Sequence, residues 1–166
     1  MSSKVLVLME EYLRTSYEGV DREYLDGEVV ERSLPTYLHG KTQLRLGALF
    51  SRLSPECRLY PCAETRIRMG SVRVRVPDVA VFGGEEPDEA VPGHPPLIVI
   101  EILSPDDRHS EVHAKLEEYR RWGVLHVWLV DPQLRKLYVY NGGLREVAAF
   151  ELADPAVKFT VAEVFG

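Results

Sequence analysis

Apolar positions along this chain follow two rhythms, a helical one and an alternating one, and together they lay out most of the fold. Leu46, Leu49, Phe50 and Leu53 recur at helical spacing and predict a helix over 36–53; Val112, Leu116 and Tyr119 predict another over 108–122. A short helix is expected near 6–15 and another near 160–165. Residues 23–32, EYLDGEVVER, carry Asp26-Gly27 between two short strands, a hairpin signal. The stretch RLYPCAETRIRMGSVRVRVPDVAVF, rich in β-branched residues and broken at Met69-Gly70-Ser71, predicts two antiparallel strands. An acidic, Pro/Gly-rich loop (83–96) leads into a buried strand at 97–103, and 124–130 forms a second, ended by Asp131-Pro132. RKLYVY and LREVAAF flank Asn141-Gly142-Gly143 as a further hairpin. The order of elements predicts an α+β architecture: a mixed sheet flanked by helices, with extra hairpins.

Four polar residues interrupt this pattern. Glu101 sits in the middle of LIVIEIL, where an unpaired carboxylate in an apolar interior costs several kcal/mol or more. Asp78 interrupts VRVRVPDVAVF, and alternation places it with Val74, Val76 and Ala80, away from Arg73 and Arg75. The short loop between the two stretches makes them neighbours in an antiparallel sheet. Two buried carboxylates side by side repel, so one takes up a proton or both hold a cation. Lys115 completes the apolar stripe of the helix 108–122, where its ammonium needs an acidic partner. His39 falls on the inward stripe of the helix 36–53, at its first turn. Each has a plainer reading. The carboxylates could lie at strand ends or pair with Arg66 or Arg68; Lys115 could snorkel or pair with Glu111; His39 could be a hydrogen-bonded histidine near a helix start.

The 166 residues suit one domain spanning 1–166, and 45% hydrophobic with 28% charged residues is ordinary for a globular chain. A net charge of −6 argues against non-specific coating of nucleic acid but leaves room for a local basic groove. Cys57 and Cys62 have no metal-ligand spacing and are too few for a disulfide framework, so a reducing, cytoplasmic setting is expected. The apolar run from Val5 to Met9 is too short for a signal peptide or a membrane span.

Pro77-Asp78, then Glu101 inside a hydrophobic strand, then a lysine, resembles the signature of the PD-(D/E)XK phosphodiesterase superfamily. More closely, DGEVVE, the helix opening near His39, RVPDVAVF, LIVIEILSP, KLEEYRRWGV and WLVDP are similar to the bacterial "putative restriction endonuclease" family. This resemblance runs from about residue 17 to 165. The basic superfamily pattern has lysine two residues after the acidic residue, where this chain has Leu103; the closer family carries it on the following helix, and Lys115 matches that position. The resemblance implies a restriction-endonuclease-like fold and Mg²⁺-dependent (or Mn²⁺-dependent) cleavage of nucleic acid, DNA in first place. On that basis Asp78, Glu101 and the backbone carbonyl of Ile102 would hold the cation, Lys115 would orient or help deprotonate the attacking water, and His39 would contact water or phosphate.

Arg66, Arg68, Arg73 and Arg75 would form a phosphate-contacting face or a merely solvated one. His109 and His113, at i and i+4, suggest zinc, but their glutamate is misplaced for the metalloprotease motif and no third ligand is evident. A non-catalytic module that keeps the nuclease fold is the main rival reading. Trp122, Trp128, Tyr138 and Tyr140 could supply a homodimer interface, although core packing is the commoner fate of such residues.

Overall fold

The computed structural model describes residues 6–166. Its elements are α1 (Met9–Arg14), β1 (Arg22–Leu25), β2 (Glu28–Glu31), α2 (Tyr37–Ser51), β3 (Leu59–Ala63), β4 (Ile67–Arg68), β5 (Arg73–Arg75) and β6 (Val79–Gly83). They continue with β7 (Ile98–Ile102), α3 (His109–Trp122), β8 (His126–Asp131), β9 (Lys136–Tyr140), β10 (Leu144–Val147), β11 (Ala149–Leu152), β12 (Val157–Thr160) and α4 (Val161–Phe165). A six-stranded sheet runs in the order β10-β9-β8-β7-β6-β3, a four-stranded one in the order β2-β1-β5-β4, and β11 pairs with β12. The six-stranded sheet is mixed: β7 and β8 are parallel, and its other neighbours are antiparallel. This is the expected α+β architecture. Val5, where the N-terminal apolar run begins, lies outside the described residues. No helix among the described residues is long and apolar enough to cross a membrane.

Alternation along β7 divides the core. Ile98, Ile100 and Ile102 join Val79, Val81, Trp128 and Leu137 in a layer closed by Leu46 and Phe50 of α2, by the β11–β12 hairpin and by α4. Val99 faces the other way with Ala80, Phe82, Val127 and Leu129, under Leu116 and Tyr119 of α3. A third, smaller core seats α1 on the four-stranded sheet through Met9, Tyr12, Tyr24 and Val74.

The structure departs from the predicted strands in two places. The long β-rich stretch is four strands in two sheets, not one hairpin: β3 and β6 pair in the six-stranded sheet, while β4 and β5 pair in the four-stranded one. The break falls at Pro77, which has no N–H to offer a ladder, so the chain changes sheets there and Asp78 stands just ahead of β6 rather than mid-strand. LREVAAF is likewise two strands. β10 closes the edge of the large sheet, and the chain then turns so that Phe150 of β11 stacks on Trp128, with ring centroids 4.3 Å apart and planes 3° from parallel. The β1–β2 turn follows expectation: Asp26 and Gly27 take φ of 52° and 91°, the left-handed pair that a two-residue hairpin turn requires.

Phe150 is fully buried and also closes the layer beneath Trp128. Phe150→Ala should therefore lower the unfolding free energy by about 3–5 kcal/mol in urea titration. A loss below about 1 kcal/mol, the range of a tolerated surface change, would show that the β11–β12 hairpin is not part of the cooperative core.

Candidate active site

The register of β6 and β7 pairs Val79 with Ile100, so the next pair outward is Asp78 with Glu101. Residues opposite each other in an antiparallel pair project to the same side, and both carboxylates lie on the α3 side of the sheet. Both are buried, 2% and 7% exposed. They form part of the floor of a cleft of about 410 Å³. Its walls come from the segment after the β1–β2 hairpin (Arg32, Ser33), the first turn of α2 and the first turns of α3.

Glu101 is held from α3. The Tyr119 hydroxyl donates to its Oε1 at 2.8 Å, and the Lys115 ammonium lies 3.1 Å from Oε1 and 3.2 Å from Oε2. These residues are four apart, so helical periodicity aims both at the same carboxylate. Burial pushes the Glu101 carboxyl well above the usual carboxylate range; Lys115 opposes this, while the charges of Asp78 and Glu23 add to it. Lys115 has a second acidic partner, Glu23 of β1, at 3.1 Å. Burial would lower the lysine, but Glu101, Glu23 and Asp78 together hold it above its ordinary value, so it stays an ammonium. Glu23 also accepts from the Val76 N–H at 3.0 Å and from Arg75 at 2.7 Å.

Asp78 is held from three directions. Its Oδ2 accepts from the Ile102 N–H at 2.7 Å, and its Oδ1 accepts from the Arg32 guanidinium and lies 3.3 Å from His39 Nε2. Burial works against its charge, but the His39 hydrogen bond and the positive charges of Arg32 and Lys115 outweigh that and hold it below its usual value. His39 reaches the site because Thr36 caps α2, accepting from the His39 N–H, and the first turn then faces inward. Its other ring nitrogen, Nδ1, is buried without a hydrogen-bond partner.

Asp78, Glu101, Lys115 and His39 are thus brought together. The remaining candidates are not. Arg73 and Arg75 do not form an open cationic face: Arg75 bridges Glu23 and Glu118, and Arg73 bridges Glu118 and Asp26. Arg66 packs over the Tyr12 ring and donates to the Leu13 carbonyl at 3.2 Å. His109 and His113 are exposed, and His113 packs edge-on against Tyr140. Cys57 and Cys62 are free thiols. Trp128 and Tyr140 are buried in the chain's own cores, and Trp122 and Tyr138, partly buried, pack against one of them.

Three residues of the site went unnoticed in the sequence: Glu23, Arg32 and Tyr119. Tyr119 reads as an ordinary stripe residue, and its hydroxyl leaves no trace in the periodicity. Glu23 and Arg32 lie in a short polar hairpin where charged residues are unremarkable. The one available signal was arithmetic: a lysine between inward carboxylates implies further charges to balance them.

Oxygen donors suit a hard divalent cation. Two facing carboxylates, one held ionised and the other driven to keep a proton, are a donor pair that such a cation would satisfy. Among the described residues, no group of three or more His, Cys, Asp and Glu side chains is arranged to hold a metal, so any cation here would rest on the carboxylate pair together with main-chain oxygen, water or phosphate.

Comparison with known proteins bears on the fold and the family. A crystal structure described as a putative nuclease belonging to DUF820, from Anabaena variabilis ATCC 29413, superposes with a TM-score of 0.81 at 22% identity, covering 96% of this chain and 97% of that one. The likeness establishes the fold. No curated protein sequence matches the chain. The family model described as Uma2, "putative restriction endonuclease", matches residues 9–160. Its span takes in the hairpin, both carboxylate strands and α3, and the chain belongs to the Uma2 family.

Proposed function

We propose that this protein is a divalent-cation-dependent nuclease that hydrolyses phosphodiester bonds in nucleic acid, DNA in first place. The observation that carries this reading is the facing of Asp78 and Glu101 on the buried floor of an open cleft, with the Lys115 ammonium 3.1 Å from Glu101. The family and the nuclease fold support it. The carboxylates of Asp78 and Glu101, with the main chain at Ile102, would hold Mg²⁺ or Mn²⁺. The cation would polarise the scissile phosphate and make an attacking water more acidic.

The chain's own groups divide the remaining work. Lys115 stays charged, so its role is to orient the water and stabilise negative charge building on the phosphate oxygens, not to accept the proton. Tyr119 holds one face of Glu101, which leaves the carboxylate a fixed direction into the cleft. His39, which lines the cleft and lies 3.3 Å from Asp78 through Nε2, would contact water or phosphate. The intact Asp78, Glu101 and Lys115 set favours this over a scaffold that keeps only the fold.

Supercoiled plasmid and single-stranded DNA incubated with Mg²⁺ or Mn²⁺ should be cut by the wild type. Asp78→Ala, Glu101→Ala and Lys115→Ala should each lower the rate by about 10²-fold or more, the scale of losing one preorganised charge at a reacting centre. No cleavage by the wild type, or equal cleavage by the variants, sinks the proposal.

A second expectation concerns protons. In the absence of divalent cations Glu101 should titrate well above the ordinary glutamate value of about 4.3. A raised folded-state value means that the unfolded chain ionises first. Stability should therefore fall as pH rises from the ordinary value towards the raised one, and Glu101→Gln should remove that slope. Cation binding, which needs the ionised carboxylate, should release a proton in the same range. Carboxyl-carbon NMR and calorimetry in buffers of different ionisation enthalpy measure both, and an unshifted Glu101 would contradict them.

A further inference from the structure

Arg32 is the guanidinium that, among the described residues, rests directly on Asp78, beside His39. It stands just after β2, at the end of the hairpin, and its main-chain N–H is tied to the Asp21 carbonyl at 3.0 Å. One end of the guanidinium meets Asp78 Oδ1, and the other has only a long contact to the exposed Asp21 carboxylate, 3.7 Å. The side chain is 15% exposed and lines the same cleft as Asp78, Glu101, His39 and Lys115. Its anchorage is therefore asymmetric: a firm contact on the site floor and a weak one at the rim.

Asp78 has little room for more partners. The Arg32 guanidinium and the His39 ring share Oδ1, and the Ile102 N–H takes a lone pair of Oδ2. A divalent cation sharing this carboxylate would sit beside a fixed guanidinium, and like charges a few ångströms apart in a partly buried site repel strongly. Lys115 does not move to relieve this, because Glu101 and Glu23 each hold its ammonium at 3.1 Å. Arg32 can, because its firm side-chain contact is Asp78 itself and its other is the long one to Asp21 at the rim. A guanidinium leaving a carboxylate finds an equivalent partner in a phosphate, whose two oxygens match the same planar fork.

On the reading that the site binds a divalent cation and a phosphodiester, we infer that Arg32 is an exchange arm. It neutralises Asp78 while no cation is bound, and turns to the substrate phosphate when Asp78 is taken by one. The interaction with substrate is thus made available by cation binding, which orders the two events.

Mn²⁺ binding to the whole chain, followed by electron paramagnetic resonance without nucleic acid, tests this directly. Arg32→Gln should tighten Mn²⁺ binding by about tenfold, the effect of removing one repelling charge of about 1.4 kcal/mol. Arg32→Lys should tighten it less. Arg22→Gln, which removes an arginine of the same hairpin that pairs with Glu31 and packs over Tyr17, away from Asp78, should leave it unchanged. Binding of a short DNA duplex in Ca²⁺ should move the opposite way, weakening by about tenfold in Arg32→Gln. If Arg32→Gln proves too unstable to isolate, Arg32→Lys carries both comparisons. Mn²⁺ binding that depends on Asp78 but is unchanged or weaker in the Arg32 variants overturns the exchange arm and leaves the nuclease reading standing. Absence of any Asp78-dependent Mn²⁺ binding overturns both.

Discussion

Everything around the cleft depends on one electrostatic constraint: three carboxylates, Asp78, Glu101 and Glu23, are buried together, and the Lys115 ammonium pairs with only two of them. Charges taken out of water are tolerated only when partners and hydrogen bonds replace the lost solvation. Lys115 serves Glu101 and Glu23, Arg75 serves Glu23, and Arg32 and His39 serve Asp78. Arg75 is in turn shared with Glu118 of α3, and Arg73 links Glu118 to Asp26 at the hairpin turn. The result is an alternating chain of charges from the β1–β2 turn to the site floor. It welds the four-stranded sheet to α3 and through α3 to the large sheet.

That chain explains why the acids differ. Asp78 and Glu101 face each other on adjacent strands, yet one is held ionised and the other is pushed towards its neutral form. The difference comes from the neighbours: Asp78 receives a backbone N–H, a guanidinium and an imidazole, whereas Glu101 receives a phenol and shares its lysine with Glu23. Two like groups made unlike by their surroundings are a common feature of acid–base sites.

How much of this could be read from sequence follows from the same physics. A misplaced polar residue is visible only against a periodic apolar background. Glu101, Lys115 and His39 lie in strongly patterned elements, so each showed as an exception, and the structure gathers all three at Asp78. Asp78 was found on a partly mistaken premise: Pro77 ends the alternation, and the residue sits between strands rather than within one. Glu23 and Arg32 lie in a hairpin whose strands are four residues long, too short for a pattern to be broken. The arginines of the β4–β5 hairpin misled in the opposite sense, since strand alternation suggests an open face but does not reveal that Glu118, far along the chain, comes to meet two of them.

The change of sheet at Pro77 also bears on how the molecule comes apart. The cleft is not carried by the six-stranded sheet alone, because Glu23 and Arg32 belong to the β1–β2 unit, whose outer strand is an exposed edge. Segments of that kind open at lower free energy than a central sheet. The complete site is then a property of a joint between a short hairpin and the central sheet, held across that joint by the charge network.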